Sequence, residues 1–138
     1  MDGVLADIES SWVFVHKRFG VNNDQSLYAY LRGEIDDLEF IRRDIALWRA
    51  KDSSLDEGKI ARILDDVPLM PGAKKTITEL SYKGYKTAIV SAGIDLLAER
   101  ISRECGIDIH LANGLGKLPS GLLTGEGILN VRLMDKGE

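Results

Sequence analysis

The chain has 138 residues, of which 44% are hydrophobic and 29% charged, with only three prolines. That composition excludes a disordered or low-complexity protein and fits one domain with a modest core. A net charge of -4 excludes the broad basic face that general nucleic-acid or anionic-membrane binding requires.

The N-terminal run Met1-Asp2-Gly3-Val4-Leu5 places an acidic residue and a glycine directly ahead of a helical pattern. This is how a strand-end loop carries a carboxylate towards a phosphate, although Asp-Gly is equally a common turn. The strand that should precede the loop does not occur in these residues. Ile8, Trp12, Val15 and Phe19 then fall at helical spacing, with Gly20 as the stop. Asp24 is expected to cap a short helix ending near Arg32-Gly33. Asp36 with Glu39 reads as a capping box ahead of the stripe Leu38, Ile41, Ile45 and Trp48, and Ser54 with Glu57 repeats it ahead of Ile60, Ile63 and Leu64. Residues 8–67 therefore read as a small antiparallel helical unit whose stripes face each other or a neighbour.

The pattern changes near Pro68 to Pro71. Ala73, Ile77 and Leu80 predict a helix to Gly84, then Tyr85 to Val90 a strand ending at Ser91-Ala92-Gly93. Asp95 is expected to cap a helix through Leu97 and Ile101 to Gly106, with a further strand over Ile107 to Ala112. A helix between two strands implies a parallel pair. The Gly-rich stretch from Asn113 to Leu129 suits a hairpin or two short strands.

Three elements bear on chemistry. Asp2 offers a carboxylate. Ser91-Ala92-Gly93 follows a strand and opens towards a helix, where a hydroxyl and exposed amides can meet an anion; an ordinary turn capped by Ser91 uses the same residues. Lys136 offers a compact positive charge, as do many surface lysines. Cys105, the one cysteine, reads as a buried structural thiol, and no His/Cys cluster has zinc spacing. His16 and His110 lack a partner pattern, and Trp12 and Trp48 read as helix core. No apolar run approaches ~20 residues and no basic region leads into an apolar stretch at the N-terminus, so the expected location is the cytoplasm.

In order and spacing, Asp2-Gly3-Val4-Leu5, Ile89-Val90-Ser91-Ala92-Gly93 and Lys136-Gly137-Glu138 resemble the three successive motifs of the haloacid dehalogenase superfamily of phosphatases, in its phosphoserine phosphatase-like branch. The resemblance covers essentially the whole chain. It implies an α/β fold, a Rossmann-like parallel sheet core (here truncated) over residues 1–7 and 68–138 with an inserted α-helical cap over 8–67. It further implies Mg²⁺-dependent hydrolysis of a small phosphate monoester through an aspartyl-phosphate. Asp2 would be the general acid/base and, by its carbonyl, a Mg²⁺ ligand. Ser91, Ala92 and Gly93 would hold the phosphoryl group, and Lys136 would neutralise it as the second catalytic residue.

The family's nucleophile would stand immediately before Met1, and its last acidic motif after Glu138. The resemblance thus implies a chain inactive as it stands, weak in Mg²⁺ affinity, with sheet edges open to a second copy. The upstream and downstream codons would tell a truncated enzyme from a noncatalytic phosphate-binding or assembly protein; mutase or phosphonatase chemistry fits the cap less well. For substrate choice the resemblance points to Glu9, facing a substrate amino group, although a glutamate there also suits a helix's first turn. The family's carboxylate-gripping arginine falls at Asp44, with Arg42 and Arg43 beside it; Arg43 is the substitute candidate, and an exposed pair is the other reading. Phosphoserine itself is therefore in doubt.

Overall fold

A computed structural model describes residues 1–134 of the chain. Helix α1 (Ser11–Phe19) is capped by Ser10, whose hydroxyl accepts from the Val13 amide, and is closed by Gly20 in the left-handed region at φ 67°. The expected start at Ile8 is three residues early. Residues 1–7 instead form a tight turn in which the Met1 carbonyl accepts the amides of Val4, Leu5 and Ala6. This turn is tied to the chain after the helices. The Asp7 amide donates to the Pro68 carbonyl at 2.8 Å and the Met70 amide to the Leu5 carbonyl at 2.7 Å.

Helices α2 (Asp24–Leu31), α3 (Asp37–Lys51) and α4 (Glu57–Leu64) follow. Asn23, not Asp24, stands at the first boundary. Asp36 caps α3 by accepting from the Glu39 amide at 2.8 Å, but Glu39 pairs with Arg42 and Arg43, so only half of the expected capping box forms. At α4 the cap is Asp56 rather than Ser54. Ser54 donates instead to Asp52. Both residues can accept an amide, and position relative to the first helical turn decides between them.

Helix α5 (Ala73–Tyr82) leads to strand β1 (Ala88–Ile94), helix α6 (Asp95–Cys105) and strands β2 (Ile109–Lys117) and β3 (Leu123–Ile128). The sheet has the order β1-β2-β3, with β1 and β2 parallel and β2 and β3 antiparallel. The expected crossover and hairpin are both present. Strand β1 lies further along than expected because pairing begins only at Ala88 opposite Ile109 and runs on to Ile94 opposite Asn113, through a register irregularity after Val90. Ser91, Ala92 and Gly93 are thus the buried end of a strand and not a loop. Asp95 is the first residue of α6, and Ile94 stands at the cap position, so the expected cap does not form. No helix among the described residues is long and apolar enough to cross a membrane.

The helices and the sheet share one core. Val15, Ile45, Trp48 and Ile60 belong to the same buried cluster as Ile89, Leu97, Ile101 and Leu123. Helix α3 lies directly on β3, and the reason is in the glycines: a side chain at Gly127 would collide with Ile41. Arg42 and Arg49 then reach β3 at Glu126 and at the Thr124 carbonyl. Arg100 of α6 donates to the Leu64 and Val67 carbonyls, supplying partners at the end of α4. The opposite face of the parallel pair is open. Ala88 and Val90 pair with Ile109 and Leu111, and all four are exposed.

Asn113 is completely buried and joins three segments. Its amide donates to the Ala92 and Val131 carbonyls, while its oxygen accepts from the amides of Asn130 and Val131. Asn113→Ala should cost on the order of 3 kcal/mol, because several buried backbone groups lose their partner at once. Denaturant unfolding at constant m-value would measure it.

Candidate functional site

The turn of residues 1–7, the start of α1 and the end of β1 meet at one point. Asp2 Oδ2 accepts from the Ser11 amide at 2.8 Å and the Ser11 hydroxyl at 3.1 Å. The same hydroxyl accepts from the Ile94 amide at 3.0 Å. Ser11 therefore fastens the carboxylate to the last residue of the strand. A Cβ on Gly93 would lie 2.7 Å from Ser11 Oγ and 3.0 Å from Asp2 Oδ2, so only glycine admits this approach. The other carboxylate oxygen, Asp2 Oδ1, is buried and without a hydrogen-bond partner among the described residues. An unpartnered buried carboxylate oxygen is costly, and a cation or donor brought by a ligand would relieve it.

Ser91 is 3% exposed, and its hydroxyl accepts from the Gly93 amide at 3.0 Å. Ala92 turns its carbonyl to two donors, the Trp12 indole at 3.0 Å and Asn113 at 3.2 Å. A cavity of about 460 Å³ opens here, lined by Asp2, Glu9, Ser91, Ala92 and Gly93 together with Ser10, Trp12, Tyr30 and Phe40. That volume suits a small organic ligand.

Of the residues expected to act together, Asp2, Glu9 and Ser91-Ala92-Gly93 therefore share one cavity. Glu9 precedes the cap of α1 and lies outside the helix, so the first-turn reading of that glutamate falls away. Arg43 does not join them. Its Nε donates to Glu39 at 3.1 Å, and it faces a separate depression beside Asn22 and Gln25. Lys136 lies outside the described residues. His110 is exposed on β2. Cys105 is buried and its thiol is pushed up by that burial, as a structural cysteine should be.

Ser11, Asp44 and His16 complete the site's surroundings. Asp44 is 2% exposed and accepts from Asn23 Nδ2 at 3.0 Å, with His16 Nε2 at 3.5 Å from the same oxygen. His16 Nδ1 accepts from the Trp48 indole at 2.7 Å, which leaves the ring proton on Nε2, towards Asp44. Trp48 in turn stacks on Trp12 with ring centroids 5.8 Å apart. A polar chain thus runs from Asp44 to the aromatic pair that holds the Ala92 carbonyl. Its signal was in the sequence: Asp44 lies in the apolar stripe of Ile41, Ile45 and Trp48, and His16 in that of Trp12, Val15 and Phe19.

Ser11→Ala should destabilise the fold by about 1–3 kcal/mol, since the buried Ile94 amide loses its acceptor, and the Asp2 carboxylate should become mobile in the variant's crystal structure. Asp95, next along the chain, has its carboxyl raised chiefly by burial and further by Glu57, against the Leu96 amide. A carboxyl raised in the folded state favours folding when protonated, so its contribution is lost as pH climbs from the ordinary carboxylate value through the raised one. Asp95→Asn should remove that decline, and unfolding curves taken at about pH 4 and about pH 7 would reveal it.

Residues 1–133 match the family model of the haloacid dehalogenase-like hydrolases. The chain is 36% identical over 98 residues to a phosphoserine phosphatase of Idiomarina loihiensis, covering 71% of this chain and 42% of that protein. It is 32% identical over 127 residues to the phosphoserine phosphatase of Wolinella succinogenes, covering 91% and 59% respectively. The chain therefore spans about half the length of these relatives. Among solved structures, a substrate-bound phosphoserine phosphatase aligns with a TM-score of 0.70 at 25% identity, over 93% of this chain and 59% of the other. A haloacid dehalogenase family hydrolase from Salmonella enterica reaches 0.75 at 20% identity, over 94% and 43%, a likeness of fold. With its mixed α/β architecture and these matches, the chain belongs to the haloacid dehalogenase-like hydrolase family.

Proposed function

We propose that this chain carries the phosphate-handling part of a phosphatase acting on small phosphate monoesters. The observation that supports this reading is the single cavity into which Asp2 and Ser91-Ala92-Gly93 converge, with Gly93 lacking the side chain that would collide with Ser11 and Asp2. In the reaction so proposed, the nucleophilic carboxylate belongs one residue ahead of Met1. Asp2 gives a proton to the leaving oxygen and then draws one from water, two tasks that one positioned carboxyl performs in turn. The Ser11 hydroxyl and amide hold Oδ2 and so fix the carboxyl group in place. The Ser91 hydroxyl and the amides around it orient the phosphoryl oxygens, and Lys136 balances their charge.

The fit of Mg²⁺ to the described residues is partial. No group of three His, Cys, Asp or Glu side chains among them is arranged to hold a metal. Asp2 supplies one donor, and carboxylates beyond the described residues would have to complete the set. When bound, the ion neutralises phosphate charge. The cap, on this reading, is residues 8–67, and the setting is cytoplasmic. The open apolar face at Val90, Ile109 and Leu111 is proposed to pair with a second copy, since a parallel sheet is normally covered on both faces.

Titrating residues 1–138 with inorganic phosphate and Mg²⁺ should shift the backbone amide resonances of Asp2 and of Ser91 to Gly93, and Ser91→Ala should weaken the effect roughly tenfold or more. Absence of shifts at these amides would overturn the reading. The same polypeptide, taken by itself, should not hydrolyse a generic phosphate ester; measured turnover would refute the placement of the nucleophile.

A further inference from the structure

The site cavity does not end at Phe40. A second cavity of about 190 Å³ shares Ser10, Trp12, Leu27, Phe40 and Leu133 with it and reaches Asp44 and Asn23. Among the described residues no lysine, arginine or histidine lines either cavity. The lining is acidic and aromatic instead, with Glu9 at one end, Asp44 at the other, and Trp12, Tyr30 and Phe40 between them. Tyr30 and Phe40 stack with centroids 4.9 Å apart.

Asp44 is the informative member. A carboxylate that is 2% exposed normally meets a full cation, because burying an unmatched charge is expensive. Here its described neighbours are an amide and an imidazole whose Nδ1 accepts a hydrogen bond. Asn23 donates to it, and His16 Nε2 stands 3.5 Å away with no hydrogen-bond partner among the described residues, while His16 Nδ1 accepts from the Trp48 indole. The positive partner of Asp44 is then to be found in what enters the cavity. Three aromatic rings beside two carboxylates suit an alkylated ammonium, which is drawn to ring faces and loses little hydration on entering.

We infer that the leaving alcohol of the substrate carries an ammonium group and no carboxylate: the site takes the phosphate monoester of a cationic amino alcohol, with Asp44, Trp12 and Phe40 as its specificity-determining residues. This rests on the phosphatase reading for the phosphate end and on the second cavity for the cationic end. A substrate carboxylate would face Glu9 and Asp44 with no described base in the lining to receive it. Arg43 cannot serve, since it pairs with Glu39 outside both cavities.

The test compares four probes on the 138-residue protein, by calorimetry and by the indole proton resonance of Trp12: phosphocholine, its uncharged isostere 3,3-dimethylbutyl phosphate, phosphoserine, and choline alone. Phosphocholine should bind about tenfold more tightly than the isostere or phosphoserine, and choline alone should shift the Trp12 indole. In Asp44→Asn the preference for phosphocholine over the isostere should collapse towards one. Phe40→Leu, which leaves the buried Asp44, His16 and Trp48 chain in place, should reduce the same preference if the Asp44 variant does not fold. Equal binding of phosphocholine and the isostere, or tighter binding of phosphoserine, would overturn the inference while inorganic phosphate binding preserved the phosphatase reading. Choline binding without phosphate binding would do the reverse.

Discussion

The hydroxyl of Ser11 is the joint on which this arrangement turns. It donates to Asp2 and accepts from the Ile94 amide, so a single oxygen connects the N-terminal turn, the first helix and the end of the central parallel pair. Take that oxygen away and, among the described residues, the Asp2 carboxylate has only the Ser11 amide to hold it. The strand end has lost an acceptor for a buried N–H as well. The approach is possible only because Gly93 has no Cβ. Two unrelated demands, backbone satisfaction and carboxylate placement, are thus met by one small side chain beside one glycine.

The helical layer contributes more than a cover. Trp12 spends its indole N–H on the Ala92 carbonyl and its ring face on Trp48. Trp48 spends its own N–H on His16, whose other nitrogen turns to Asp44. The indole links are satisfied hydrogen bonds, whereas His16 Nε2 stands 3.5 Å from Asp44 with no hydrogen-bond partner among the described residues. The chain fixes the tilt of Trp12 and so the wall of the cavity. It also holds a carboxylate in a place where a helix stripe would otherwise carry a leucine or an isoleucine.

Much of this was legible. The helical stripes, the parallel crossover and the hairpin follow from spacing and from glycine, because burial imposes a period on the side chains whatever their partners. The helix boundaries did not follow as well. Ser54 and Asp56 both offer an oxygen to an amide, and Ser10 and Ser11 stand side by side with opposite tasks, one capping its own helix and the other reaching back to Asp2. Such choices depend on where the rest of the chain passes, which no local window contains. The same is true of β1. Tyr85 to Thr87 are β-prone, yet the strand starts at Ala88, where β2 arrives to pair with it.

Arg43 and Asp44 show how neighbours on one helix can meet opposite surroundings. The two are adjacent in the chain, but one helical step of about 100° separates their faces. Arg43 is turned out to Glu39 and water, and Asp44 is turned in, beside the cavity. A charge of the opposite sign is therefore what the helix presents at that point. Compensation by a distant base is not offered by the lining, since every described residue shared by the two cavities is apolar, aromatic or a hydroxyl. Helix phase thus decides which of the two adjacent charges lies beside the cavity, the buried carboxylate of Asp44 and not the guanidinium that pairs with Glu39.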